Sequence, residues 1–493
     1  MTRERSISKA KKVPYPFLGL ALLIYGLVMF PQFRNYHYGF DCFYFLGRAK
    51  EAASHPFSIF QADFALRFHP LCHLLESFVY RFFGINPLAQ GALLVPLHLL
   101  NVFLLFRLML RLGISNVAAL TGSVLFLFLS SHWGVVFDIA QVARLGGIVF
   151  FLGSLIAFKN FLETKNRWHY FSSLIFLAVS FGFAEDPVIL PPLLILMTVL
   201  WSSREKRLFF KILAGTIPFF LLSLGYIRLG YAVGSVRAWE MGIGFHILPK
   251  LANLFKEFIL MLFVPRRELV AFLPFPAFVS RLIPLILMGA SAVWIFVSRT
   301  QSPERPKWNW KGRILIFAIA WILITIMPYA MRPTEGGVWH TRYFYIPAMG
   351  LAMMGGLFIR HLWLQSKTYF LKGFLVIAVF YVVALNLATT LFLFYKPRPS
   401  ERTVTRAEAP LVFSLLFELR KQYPQFPEGT VLVVEGSPFG PERLKQILDT
   451  YYGSVPNRIM VGDRIRMDST ASPTGPTILH LKWIENGSWS LRK

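Results

Sequence analysis

The sequence predicts an α-helical polytopic membrane protein of about eleven spans followed by a small α/β domain. Three observations lead there. Apolar runs of bilayer length recur through the first 396 residues, and the short loops between them are rich in Lys and Arg. The 493 residues are 55% hydrophobic and 16% aromatic but only 15% charged, where a soluble globular chain is about 25% charged. After Lys396-Pro397-Arg398-Pro399 the composition turns to that of a soluble domain, which sets the expected boundaries at 1–396 and 397–493.

In chain order, the N-terminal MTRERSISKAKK is basic and precedes the apolar run 16–33 without a small-residue cleavage site, so it reads as a retained signal anchor that carries the chain outward. Residues 34–87 then form the first external loop. It holds Asp41 directly after the span, an amphipathic segment over 44–53, and a second over 65–82 that mixes Arg67, His69, His73 and Glu76 with Leu and Phe.

The run 88–110 returns to Arg107 and Arg111, and 117–133 exits, leaving Asp138, Gln141 and Arg144 at the outer edge. The run 142–161 comes back to Lys159, Lys165 and Arg167, and 170–184 exits to the tight turn Glu185-Asp186-Pro187. Next, 188–200 returns to Arg204, Lys206, Arg207 and Lys211, and 212–230 exits again.

The apolar segment 248–264 is interrupted by Lys250, Lys256 and Glu257. If it spanned, the basic stretch 299–313 would fall outside, so 231–280 is expected outside with this segment in the interface or re-entrant. The runs 282–297, 314–329, 344–360 and 374–394 complete the spans and leave the tail external. In that tail, helices are expected over 410–423 and 441–452 and strands over 430–435 and 477–483, with Asn486-Gly487 turning into a last short strand. Gly436-Ser437-Pro438 lacks the further glycines and the Lys of a phosphate loop.

The formal charge of +26 falls in clusters between spans. It therefore belongs to topology and anionic lipid, and no nucleic-acid partner is expected. The two cysteines, Cys42 and Cys72, share the first loop; they could pair if that loop faces an oxidising compartment, and two free apolar thiols is the reading preferred.

Charge inside a bilayer is expensive and usually serves a site or reaches an interface. In this topology Asp41, Asp138, Glu185, Asp186, Glu240 and Glu335 all gather at the outer ends of spans, which implies an outward-facing polar cavity. Asp41 fits a general base for glycosidic bond formation, or an acid favouring a helix N-terminus. Glu185 and Asp186 fit acids that bind the acceptor or stand behind the reacting groups, or charge opening the next helix. In the late loop RPTEGGVWHTRYFYIP, Arg332, His340 and Arg342 fit a clamp on the phosphate of a lipid-linked donor, or a headgroup belt. Arg67, His69 and His73 fit a metal or phosphate site, or interfacial packing, and packing is the reading taken, because no carboxylate–His set is fixed beside His69 and His73. No metal is assigned, and Arg67 and His69 are placed with Asp138 and Asp186 around the acceptor or behind the reacting groups.

Several blocks resemble one family. The run from Phe68-His69-Pro70 through RFFGINPLAQGALLVPLHLLNVFLLFRLMLRLG resembles the end of the first lumenal loop and second span of membrane O-mannosyltransferases of the transmembrane and tetratricopeptide-repeat type. SHWGVVFDIAQVARLGGIVFFLGSLIAFKNFL, FGFAEDPVILPPLLIL and HTRYFYIPAMGLAM resemble three later blocks of the same proteins, in the same order. The resemblance implies the GT-C class, which includes the family 39 protein mannosyltransferases: multi-span enzymes that take a sugar from a polyprenyl-phosphate carrier. By that likeness Asp41 matches the first-loop catalytic acid, Glu185 the acid before the sixth span, and Arg342 the arginine of the late loop. Two features depart from the family: Cys42 stands where a second adjacent acid is common, and the repeats are replaced by the α/β tail.

The expectation is therefore a glycosyltransferase moving a sugar from a polyprenyl-phosphate-linked donor to a protein, lipid or glycan acceptor. It is placed in a bacterial-type inner membrane, with the active site and tail on the external face. A polyprenyl-lipid transporter or flippase is the first alternative, though transporters tend to hold ionisable groups near the midplane of internal repeats. A non-catalytic assembly subunit that kept the fold is the second.

Overall fold

The computed structural model describes residues 15–35, 40–61, 68–84, 86–202, 206–232, 310–330 and 341–395, the strands between 431 and 492, and isolated positions near them. The predicted span 282–297, all of 248–264 but Leu251 and Leu254, the side chain of Asp41, and Arg67, Glu240, Arg332, Glu335 and His340 lie outside the described residues.

Helix α1 (Tyr15–Met29) enters the bundle, and α2 (Phe40–Ser54) and α3 (Pro70–Phe83) form a hairpin within the first loop. The bundle continues with α4 (Pro87–Arg111), α5 (Asn116–Phe128), the single turn α6 (Trp133–Val136), α7 (Val142–Thr164), α8 (Arg167–Phe183), α9 (Leu190–Trp201), α10 (Lys206–Ala214) and α11 (Ile217–Ala232). It resumes with α12 (Trp310–Ala330), α13 (Tyr345–Gln365) and α14 (Tyr369–Tyr395). Among the described residues, seven helices are long and apolar enough to cross a membrane, or eight if the bent pair α5–α6 counts as one. The protein is a multi-pass integral membrane protein.

Helix α7 is the hub. Of its apolar window 78% is buried inside the protein, against 22% in the spans that include α1, α11 and α14. It packs along α8 and α4, while α13 lies between α5 and α12. Small residues set the closest of these approaches, as in helix pairs within membranes. A Cβ added at Gly356 of α13 would sit 2.1 Å from the Ala118 carbonyl of α5, and one at Gly122 would sit 2.5 Å from the Ala352 carbonyl.

The run expected as one straight span over 117–133 is broken. The helix ends at Phe128, the axis turns by 50°, and a tight turn over Ser130–His132 leads into α6. Buried irregular backbone needs internal partners. Here the Ser130 N–H donates to Asn386 Oδ1 of α14 at 3.0 Å. His98 Nε2 donates to the Leu127 carbonyl at 3.3 Å, which leaves Nδ1 to accept from the Tyr345 hydroxyl at 2.7 Å. The bend delivers Asp138 to the start of α7, where it caps a short turn over Ile139–Gln141.

Helix α3 is inverted relative to a soluble amphipathic helix. Its buried face carries Cys72, His73, Glu76 and Ser77, and its exposed face is the stripe Leu74, Phe78 and Phe82. An apolar face turned away from the protein is the pattern of a helix in contact with lipid.

In the tail, β1 (Val431–Glu435), β2 (Arg458–Gly462), β3 (Ile478–Ile484) and β4 (Ser488–Arg492) form a sheet in the order β2-β1-β3-β4. The first three are parallel, and β4 closes an antiparallel hairpin on β3. Leu432, Val433 and Val434 of the central strand are all buried, as expected for a parallel strand covered on both faces. Strand β2 was not anticipated: RIMVG is short and does not alternate.

Candidate active site

Five elements bring their ends together. Chain direction alternates along the bundle, so the start of α7, the end of α8, the end of α12 and the start of α13 share one end of it, joined there by the N-cap of α3. The cavity at this end is lined by His69, Gln141, Arg144, Glu185, Asp186 and Arg342, among others.

Arg144, in the first turn of α7, is 8% exposed and ties three of these elements together. Its Nε donates to Asp186 Oδ2 at 2.8 Å, and its Nη1 donates to the Arg342 carbonyl at 2.8 Å. Its guanidinium lies 5.8 Å from the ring centre of Tyr329 and 5.9 Å from that of Tyr343, two rings that stack on each other at 4.7 Å. The Tyr329 hydroxyl donates to the other Asp186 oxygen, Oδ1, at 2.7 Å. Both Asp186 oxygens are thus held, one by charge and one by a neutral donor. A buried ion pair with these additional partners meets the condition for tolerating its desolvation.

Glu185 faces the first loop instead. Its Oε2 is 2.7 Å from His69 Nε2. An ionised carboxylate only accepts, so Nε2 carries the donated proton. His69 caps α3 just before Pro70, and the Tyr226 hydroxyl of α11 donates to the neighbouring Phe68 carbonyl at 3.3 Å, fixing the entry to α3.

Arg342 sits in a tight turn over Thr341–Phe344 before α13. Its Nη1 is 3.8 Å from Asp138 Oδ2, beyond hydrogen-bond length, and its guanidinium lies 5.6 Å from the Tyr343 ring centre. Asp138 is already engaged, since Oδ1 accepts from the Ala140 N–H at 3.0 Å and Oδ2 from Gln141 Nε2 at 3.1 Å.

Of the residues singled out from sequence, the structure brings together Glu185, Asp186, His69, Arg342 and Asp138. Sequence reasoning placed Arg144 at the outer edge but gave it no role, and it passed over Tyr329 and Tyr343. The signal for Arg144 was present: a cation on the side where acids collect, against the usual distribution of Lys and Arg. Among the described residues no three His, Cys, Asp or Glu converge as ligands for a metal ion. Cys72 is buried inside the bundle.

No protein-family profile and no characterised protein matches the sequence. Solved structures do. The oligosaccharyltransferase of Archaeoglobus fulgidus, tethered with an acceptor peptide containing the NVT sequon via a disulfide bond, is 12% identical with a TM-score of 0.50, over 91% of this chain and 64% of that one. ArnT from Cupriavidus metallidurans, bound to undecaprenyl phosphate, is 14% identical with a TM-score of 0.47, over 95% of this chain and 92% of that one. The arabinofuranosyltransferase AftD from Mycobacteria is 14% identical with a TM-score of 0.47, over 92% of this chain and 33% of that one. The chain therefore spans about two thirds, 64%, of the length of the archaeal enzyme. The fold is that of the GT-C class of membrane glycosyltransferases. These three neighbours do not single out the O-mannosyltransferases within it.

Proposed function

We propose that the protein is a GT-C glycosyltransferase that moves a sugar from a polyprenyl-phosphate-linked donor to a protein, lipid or glycan acceptor. The observation that carries this reading is the cavity where Glu185 and Arg342 face one space at the end of the bundle on which acids collect. In the reaction the bond between the anomeric carbon and the donor phosphate breaks as a bond to the acceptor oxygen forms. The acceptor gives up a proton and the polyprenyl phosphate leaves as an anion. Glu185, oriented by His69, or Asp41 from the first loop takes the proton. Arg342 offers a planar, permanently charged fork to the leaving phosphate, with Arg332 and His340 contributing from the same loop. Asp138, Asp186, Arg67 and His69 stand around the acceptor or behind the reacting groups.

Two further parts belong to the same reading. Residues 1–396 form the catalytic membrane domain, with the loop 34–87 over the site, and 397–493 form a separate external α/β domain. The site faces the external side of a bacterial inner membrane, because the opposite span ends carry Arg111, Lys165, Arg167, Lys211, Arg313, Lys367 and Lys372.

The test is a density map of the full chain in nanodiscs with undecaprenyl phosphate, together with transfer kinetics. Phosphate density at Arg342 with Asp41 facing the same cavity is the expected result. Glu185→Gln should lower single-turnover transfer by about 10²- to 10⁴-fold, the range of a general base. An empty cavity, or Asp41 turned into lipid, would favour a non-catalytic role.

A further inference from the structure

Arg144 contacts three other residues that line the cavity, Asp186, Arg342 and Tyr343, yet the reaction proposed above does not use it. One of its bonds has an unusual target, the backbone carbonyl of Arg342, the residue assigned to the donor phosphate. The neighbouring Nε is held by Asp186, which is itself held by Tyr329. Tyr343, next to Arg342, stacks on Tyr329 and faces the Arg144 guanidinium. The turn carrying Arg342 is thus fastened at two successive residues to α7, to the Glu185-Asp186 turn and to α12. The Arg342 guanidinium lies 3.8 Å from Asp138 while its backbone carbonyl is bonded to Arg144, so the two arginines meet at one turn.

The geometry points to Arg144 as a positioning residue for Arg342: it clamps the turn over Thr341–Phe344 so that the Arg342 guanidinium lines the cavity, and so sets affinity for the phosphate of the polyprenyl carrier. This rests on the reading of Arg342 as the phosphate-binding group. The planar guanidinium is needed because one fork must reach a carboxylate and a carbonyl on separate elements at once. The compact ammonium of Lys offers no such fixed fork.

Equilibrium binding of undecaprenyl phosphate to the full chain in nanodiscs tests it with Arg144→Lys, Arg342→Ala and the double variant, with thermal unfolding recorded for each. Arg342→Ala should weaken binding by about tenfold or more, the loss expected of a charge-assisted hydrogen bond. Arg144→Lys should weaken it several-fold without a matching drop in melting temperature. The double variant should bind no more weakly than Arg342→Ala alone, because a residue that acts through another adds nothing once the other is gone. Additive losses would mean that Arg144 meets the phosphate itself or acts independently, and would overturn the proposal. Tyr329→Phe removes only the hydroxyl on Asp186 and should give a milder loss of the same pattern if Arg144→Lys does not fold. A density map of Arg144→Lys, or of Tyr329→Phe in its place, separates this proposal from the reading it rests on. If Arg342→Ala binds as the wild type does, the phosphate reading fails, and the map still decides whether Arg342 moves away from Asp138. An unmoved Arg342 overturns the positioning role.

Discussion

Asp186 shows how strongly one residue can be determined by partners far away in sequence. Its two oxygens are taken by Arg144 and Tyr329, 42 and 143 residues distant. Asp186→Asn keeps the shape and removes the charge, leaving the Arg144 guanidinium buried without its counter-ion. Loss of one partner of a buried pair costs about 3–5 kcal/mol, so a clear fall in the unfolding temperature in nanodiscs is expected. A fall no larger than that of an exposed Asp substitution would show that the pair contributes little. The acids were legible in the sequence because a bilayer makes charge at span ends conspicuous. Their pairing was not: nothing local to Glu185-Asp186 says that the first residue turns to His69 and the second to Arg144. The adjacent acids point to different walls, and only the arrival of α3, α7 and α12 settles which.

At the scale of elements, the positions of the seven described helices that are long and apolar enough to span were legible because apolar length is dictated by the membrane, whereas breaks and facing directions were not, and the expected total of eleven spans is not established. No Pro or Gly marks the bend after Phe128. It persists because Asn386 and His98 hold the freed backbone groups. The α5–α13 contact is equally invisible in composition, and it yields a stability prediction. Gly356→Ala places a methyl group 2.1 Å from the Ala118 carbonyl, backbone that yields only if the helices part. Overpacking of this kind costs about 1–3 kcal/mol, to be read as a lowered melting temperature, while Gly19→Ala on α1, whose Cβ would meet nothing within 4 Å, serves as the control. Helix α3 carries a second prediction. If Leu74, Phe78 and Phe82 face acyl chains, the fluorescence of a Trp at Phe78→Trp should be quenched more strongly by brominated lipid than by an aqueous quencher. Because the protein has 12 tryptophans of its own, the signal must be read as the difference from the wild type. Stronger aqueous quenching would place the stripe in water and leave its apolar surface unexplained.

At the scale of the whole molecule, charge separation between the two ends of the bundle connects topology to chemistry. The end that holds Glu185, Asp186 and Asp138 also admits Arg144 and Arg342, each within 4.0 Å of an acid. The other end carries basic residues in excess, and Arg167 there is exposed. Positive residues are retained on the cytoplasmic side during insertion, so the site should open to the outside, where a lipid-linked donor would meet it at the bilayer edge. Single cysteines in a Cys42→Ser background test this, since Cys72 is buried. His55→Cys, at an exposed position between α2 and α3, should react with a membrane-impermeant maleimide on intact cells. Arg167→Cys should react only after permeabilisation. The reverse pattern would put Glu185 and Arg342 in the cytoplasm, and the donor would then have to be one presented on the inner leaflet.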